Sequence, residues 1–353
     1  MRPLVYWAAG LATIAASAAV GQQSDPVAKP ATATKASKTW VAPGTPGSPI
    51  DGTAFHAQVL LDAAGFSPGV IDGKEGMSLT NAVEGFQESR GLAVTGKLDN
   101  VTRAALLEDQ RTSTVIVKLA PEQVAGPFVY PFPKKPEAQA KLESMGYRNM
   151  LEKVAEAYHT TPATIVALNG PDKLIGPGQV LRVPNVVPAG HADYATHGDK
   201  EAGKWMTLLN VTTGDIKGDH ITVDKSEGLL KVLDENDRLV AQMPVTTGSG
   251  HDPLPLGEWK VTTYDFLPAF HYQPDLFWDV SDDKDPQRLP PGPNGLVGVA
   301  WLDLNKEHYG IHGTPEPQTI GRTQSHGCLR LTNWDVLRLS QMMKPGFKAE
   351  FVA

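Results

Sequence analysis

The sequence predicts a multidomain chain: a β-rich, sandwich-like C-terminal domain preceded by a small three-helix domain and a small α+β module. Three observations carry that reading. A length of 353 residues is more than one hydrophobic core usually serves. Apolar residues recur at helical spacing before about residue 190 and alternate in strand fashion after residue 205. Stretches rich in proline, alanine and threonine separate the blocks.

Residues 1–21, MRPLVYWAAGLATIAASAAVG, place Arg2 ahead of an apolar run and end on Ala19-Val20-Gly21, the pattern of a secretory signal peptide. The run is short and alanine-rich for a membrane span, so a cleaved signal is favoured over an uncleaved anchor. No cysteine follows it, which excludes a lipoprotein anchor. Export to the periplasm or cell wall is the expectation. Residues 22–49 have almost nothing to bury and read as a disordered tether.

Residues 50–110 read as three helices. Val59, Leu60 and Ala63 share a face of the first, Ser78 starts a second carrying Val83 and Phe86, and Asp99 is placed to cap a third. The recurring pieces Asp72-Gly73 with Gly76, Ala82-Val83 with Phe86-Gln87, and Gly91-Leu92 through Thr95-Gly96 to Asp99 and Thr102 resemble a peptidoglycan-binding domain. Asp72 is expected to form a turn and Phe86 to fill the core. Residues 111–140, with a strand-like STVIVKLA and a proline-rich bridge, are taken as a linker. Residues 141–187 read as two helices, an LNG turn and a closing GQVLRVP strand. This order resembles a LysM module without its first strand, and glycan binding is what that resemblance implies.

Residues 205–353 alternate as strands. Asp234 to Asp237 form the turn of a hairpin, and the long irregular stretch 265–293 carries Phe266, Phe270, Tyr272, Phe277 and Trp278. A loop of that length is either a lid over a cleft or a packed decoration. Near the end, Thr332 with Asp335 has the form of a capping box before a helix carrying Val336, Leu337, Leu339 and Met342.

A net charge of −7 with interspersed signs excludes a nucleic-acid partner. The one cysteine, Cys328, cannot staple its own chain, so it is a buried filler, a partner for another chain, or a reactive thiol. It lies in SHGCLRL, residues 325–331. Read as a strand, that heptad sends His326, Cys328 and Arg330 to one face and Leu329 and Leu331 to the other. In YGIHGT, residues 309–314, Tyr309 and Ile311 are expected to point inward and His312 outward. His312 and Cys328 are 16 residues apart, enough for a loop to lay two strands side by side. A thiol needs such an imidazole partner to react near neutral pH. Gly327 lets nearby backbone N–H groups turn toward an oxyanion. A zinc site built on two histidines and the cysteine has no signalled fourth ligand, and no GxSxG elbow is present.

YGIHGTPEPQTIGRTQSHGCLRLTNWD, with VTTG at 245–248, PLGEW at 255–259 and PPGPNGLVGVAWLDL at 290–304, closely resembles the L,D-transpeptidase catalytic domain. The resemblance implies Cys328 as nucleophile, His312 as its base, His326, Arg330 and Ser325 as site-shaping residues, and an oxyanion hole around Gly327 and Cys328. It implies Tyr309, Gly313, Thr314, Tyr272 and Trp278 as substrate contacts, and no metal or cofactor. The implied reaction is attack on the bond between a diaminopimelate-type residue and terminal D-alanine of a tetrapeptide stem, giving a thioester. An amine of a second stem, water, or a protein lysine is the acceptor, and the expected partners are peptidoglycan stem peptides and glycan. A non-catalytic wall-binding scaffold is the rival, and it predicts a missing Cys or His; both are present.

Overall fold

Two modules packed onto a curled sheet make up the described part of the chain. In the computed structural model the described residues are 43, 50–187, 199–211, 216–277 and 284–353. The signal and most of the tether expected at 1–49, and the lid residue Trp278, lie outside them. No helix among the described residues is long and apolar enough to cross a membrane.

The first module has α1 (Gly52–Ala63), α2 (Met77–Ser89) and α3 (Asn100–Leu106). Asp51 caps α1 by accepting from Thr53 and Ala54 N–H, and Asp99 caps α3 by accepting from Thr102 N–H at 2.8 Å. Phe86 is buried against Phe66, and Asp72 accepts from Lys74 N–H in its turn, the roles their sequence settings imply.

The second module differs from the reading of 111–140 as linker. β1 (Thr114–Lys118) pairs antiparallel with β2 (Val180–Pro184), so the strand that the LysM-like order lacks is supplied from upstream. Between the two lie the short turns α4 (Pro121–Val124) and α5 (Pro136–Gln139), then α6 (Met150–Ala157) and α7 (Pro162–Asn169). Asn149 and Thr161 cap the longer pair. These two modules share a core: Phe55, Val59 and Ile71 pack with Val154, Tyr158 and Ile165.

After α8 (Lys200–Leu208) come β3 (His220–Asp224), β4 (Leu229–Leu233), β5 (Leu239–Pro244) and the long β6 (Gly257–Phe266). β7 (Phe270–Tyr272) and β8 (Gln287–Leu289) form a separate hairpin. The remainder is β9 (Ala300–Leu304), β10 (Gly310–His312), β11 (Leu329–Arg330), α9 (Asn333–Met342) and β12 (Lys348–Val352). Eight strands form one sheet in the order β11-β10-β9-β6-β12-β3-β4-β5. The segment after β5 returns to the far edge: Thr246 and Arg330 exchange backbone hydrogen bonds of 3.0 and 2.9 Å, and Ser325 N–H donates to Thr247 O at 3.1 Å. The sandwich-like architecture is thus a single curled sheet whose two ends are tied together. The outer strand β5 is covered by the first module, through Ser67 N–H to Gln242 O at 2.8 Å and Gln242 N–H to Gly65 O at 3.0 Å. Those bonds protect an edge that would otherwise be open to pairing.

Residues 333–340 of α9 are all buried, although a helix on the outside of a sheet normally shows one wet face. The cause is two-sided packing. Val336, Leu337 and Leu339 enter the sheet's core, while Trp334 stacks on His159 of the second module and Arg338 pairs with Asp62 of the first. Thr332 caps the helix by accepting from Asp335 N–H at 3.1 Å. The Asp335 carboxylate, expected to complete a capping box, is held by Ser67 Oγ at 2.7 Å and Arg338 at 3.2 Å.

Candidate active site

β10 and β11 run parallel, with His312 opposite Arg330 and Ile311 opposite Leu329. The predicted adjacency of the two motifs is therefore present. The heptad itself is a strand only at Leu329–Arg330; before that the chain bends, with Gly327 at φ 99°. A Cβ there would lie 2.8 Å from the Tyr309 ring, so only glycine fits the turn. The bend still sends His326, Cys328 and Arg330 to one cavity and buries Leu329 and Leu331.

That cavity is about 470 Å³ and is lined by Cys328, His312, His326, Arg330 and Tyr309 together with Trp301, Phe270 and Phe277. The aromatic stretch does lie over a cleft: Phe277 meets His326 edge-on at 4.9 Å. Several expected contacts are elsewhere. Tyr272 is buried behind Phe277, and Thr314 is buried; neither lines the cavity. Gly313 lies outside the lining too, packed against Asn333, where an added Cβ would sit 2.0 Å from Asn333 Oδ1. Ser325 is buried and donates to Cys328 O at 2.6 Å, which braces the bend from behind. Tyr309 lines the cleft and also packs partly against the sheet's core, just after His308 at φ 65°.

His312 is buried, and its Nδ1 donates to Gly313 O at 2.7 Å, leaving Nε2 with a lone pair. Burial first, and the charge of Arg330 second, push its pKa down to about 3, so the ring is neutral across the physiological range. It stacks on Trp301, its cross-strand partner in β9, at 5.4 Å and 15°. Gly310 makes room for that tryptophan: a Cβ would lie 2.4 Å from the indole ring. Cys328 Sγ points at His308 O, 3.6 Å away. Burial pushes the thiol's pKa up, opposed by the Gly310 backbone and by Arg330. Burial also lowers the pKa of Arg330.

Sequence reasoning passed over Trp301 and the carboxylates Asp252, Asp265 and Glu307, which also line the cavity. A signal for Trp301 exists in AWLDL, where alternation sets Trp301 and Asp303 opposite three core positions. The acidic residues come from separate loops and carry no such local mark.

Residues 218–350 match the L,D-transpeptidase catalytic domain, and residues 55–106 match a peptidoglycan-binding domain. A Bacillus licheniformis protein assigned by name to the L,D-transpeptidases, YkuD, is 31% identical over 149 residues, covering 42% of this chain and 74% of that protein. Its Bacillus subtilis counterpart is 32% identical over 127 residues; the chain spans 62% of its length, under two thirds, and the match covers 36% of this chain. A solved L,D-transpeptidase from Mycobacterium smegmatis is 16% identical with a TM-score of 0.31, covering 38% of this chain and 58% of that one. Another, from Xylanimonas cellulosilytica, is 13% identical with a TM-score of 0.34 over 89% of this chain and 97% of that one. The matched span 218–350 holds both motif strands and the whole wall of the thiol cleft built by β9 to β11, and on it the chain belongs to the YkuD family of L,D-transpeptidases.

Proposed function

We propose that Cys328 is the nucleophile and His312 the base of a peptidoglycan L,D-transpeptidase reaction, with a tetrapeptide stem as acyl donor. The observation that carries this reading is the convergence of the chain's one thiol and a neutral, buried imidazole on a single cavity with Arg330.

The chemistry follows from those groups. His312 Nε2 takes the Sγ proton as sulfur attacks the carbonyl carbon, while Nδ1–H stays on Gly313 O and holds the ring's tautomer. The carbonyl oxygen becomes an oxyanion, for which the Gly327–Cys328 backbone N–H groups are the proposed donors. The C–N bond to D-alanine breaks, the amine departs with the proton carried by His312, and a thioester remains. An acceptor amine then attacks the thioester, gives its proton to His312 and restores the thiol. Arg330 keeps His312 neutral and presents a cation to a stem carboxylate. His326, wedged against Phe277, shapes the cleft on the lid side.

A signal at residues 1–21 directs export, and the enzyme works in the periplasm or cell wall. Residues 55–106 hold it on peptidoglycan, and the module closed by β1 and β2 contributes glycan contacts, which raises the effective concentration of substrate. The second stem is the preferred acceptor.

Mass measurement after incubation with a carbapenem tests the nucleophile. One covalent adduct is expected on the wild type and none on Cys328→Ala; a wild type that stays unmodified would sink the assignment. Digestion of the host wall after overproduction identifies the acceptor, with cross-links between the third residues of two stems as the expected product.

A further inference from the structure

We infer that Glu156, on α6 of the second module, is a positioning residue for His312, acting through Asn333. The inference rests on the assignment of His312 as the base.

Asn333 is wholly buried at the first position of α9, five residues after the cysteine. Its Oδ1 accepts from Val299 N–H at 3.1 Å. Its Nδ2 donates to Glu156 Oε1 at 2.7 Å and to Pro293 O at 3.2 Å. The amide is pressed into a slot of two glycines: a Cβ on either Gly298 or Gly313 would lie 2.0 Å from Oδ1. Gly313 is the residue whose carbonyl takes the His312 Nδ1 proton at 2.7 Å. The side chain of Asn333 is thus a wedge against the peptide that orients the base.

An amide can sit in that slot in either of two flips, and only one places Oδ1 toward Val299 N–H. Glu156 Oε1, which accepts the shorter of the two Nδ2 bonds, holds that flip together with Pro293 O. The oxygen that faces Asn333 accepts, as both oxygens of a carboxylate and the carbonyl oxygen of a protonated carboxyl do, so it holds the NH₂ end on its own side. Glu156 is itself buried, and its neighbours are Tyr147, Glu152 and Asn333; no cation pairs with it there. Burying a carboxyl with no cation beside it among the described residues costs stability, which a residue serving module docking alone would avoid. A second tie from the same module reaches the loop between His312 and Cys328, where Arg148 bonds Glu316 at 2.9 Å. The catalytic site is therefore completed by the second module, which does more than contribute glycan contacts.

The test is saturation kinetics of carbapenem acylation on the full-length chain, which separates affinity from the acylation constant. Glu156→Ala is expected to lower the acylation constant by roughly ten- to a hundred-fold with affinity unchanged, the scale of a small misplacement of a reacting group. Glu156→Gln, whose carbonyl oxygen still accepts from Asn333, is expected to restore it to within about three-fold. Asp62→Asn loosens the same junction away from His312 and should lower thermal stability without changing the acylation constant. Where the alanine variant does not fold, Glu156→Asp retracts the carboxylate by one methylene, and about a ten-fold fall is expected. An alanine or aspartate variant that folds and acylates like the wild type overturns the inference. So does a loss shared equally with Asp62→Asn. A wild type that forms no adduct overturns the catalytic assignment instead, and the two failures are distinguishable.

Discussion

Two buried histidines sit against two tryptophans in this molecule, and their partners give them opposite work. His312 stacks on Trp301 at 5.4 Å, and His159 stacks on Trp334 at 4.9 Å. His312 spends one nitrogen on Gly313 O and keeps the other for the cleft. His159 has an acceptor on each side, Asp62 Oδ2 at 3.1 Å and Leu209 O at 2.7 Å, so both of its nitrogens are engaged inside the fold. Around His159 the charges interlock across three segments: Arg338 bonds Asp62 at 3.1 Å and Asp335 at 3.2 Å. Burial raises the Asp62 carboxyl, but Arg338 and His159 outweigh it and hold the group well below the usual carboxylate range. Ring burial and stacking are common to both sites; only His312 keeps a nitrogen for the cleft, as the proposed base requires.

The sharpest way to break this contrast is to remove each ring. His312→Ala should lower the carbapenem acylation rate by about 10² to 10⁴, the usual contribution of a positioned base, with little change in melting temperature. His159→Phe should lower the melting temperature and leave the acylation rate of the folded protein unchanged. Acylation lost equally in both would erase the distinction.

Next in size is the junction's cation. Arg338→Met leaves the buried Asp335 without its cation and Asp62 with His159 alone, a loss of about 3–5 kcal/mol. Urea unfolding of the intact chain measures it, and a loss below about 1 kcal/mol would show that the cluster is not a latch.

A third difference lies in pH. Burial pushes the Glu156 carboxyl up from 4.5 to about 7. The folded chain thus binds more protons than the unfolded one between those values, and stability falls as pH rises through that window. Asp62 has the opposite sign: its depressed folded pKa contributes stability above the unfolded value near 3.8, lost as pH falls through the folded value. Unfolding curves from pH 5 to 8 should therefore slope downward, by on the order of 1–3 kcal/mol, and Glu156→Gln should flatten them. A slope that survives in Glu156→Gln assigns the titration to another group.

The meeting of His312 and Cys328 at one cleft was legible in the sequence and the latch was not. Cys328 and His312 announce themselves because glycines, spacing and alternation are local. The junction draws Asp62, His159 and Arg338 from three segments, and each alone looks like an ordinary polar residue of a helix or its end. The pairing of β1 was hidden for a similar reason: Thr114–Lys118 looks like a strand, but its partner Val180–Pro184 lies beyond α4 to α7. Tyr309, expected inward, is shared between the core and the cleft where the chain leaves the positive φ of His308 and enters β10. Alternation predicts facing only while the backbone stays extended.

The smallest expected effect concerns the tryptophans themselves. Trp301 Nε1 donates to Asp303 Oδ1 at 3.0 Å, and Trp301→Phe keeps an aromatic face on His312 while losing that bond. The loss should be about 1 kcal/mol or less of stability, with acylation slowed about two- to five-fold as the imidazole gains freedom. Trp334 is fully buried between α9 and His159, and Trp334→Phe opens a void with no reactive group beside it. It should cost about 1–3 kcal/mol in urea unfolding and leave acylation unchanged. The crossed pattern, one tryptophan moving the rate and the other the stability, is the outcome the two environments require. Acylation that follows stability in both variants would mean that the Trp301 ring supports the fold and does not orient the base.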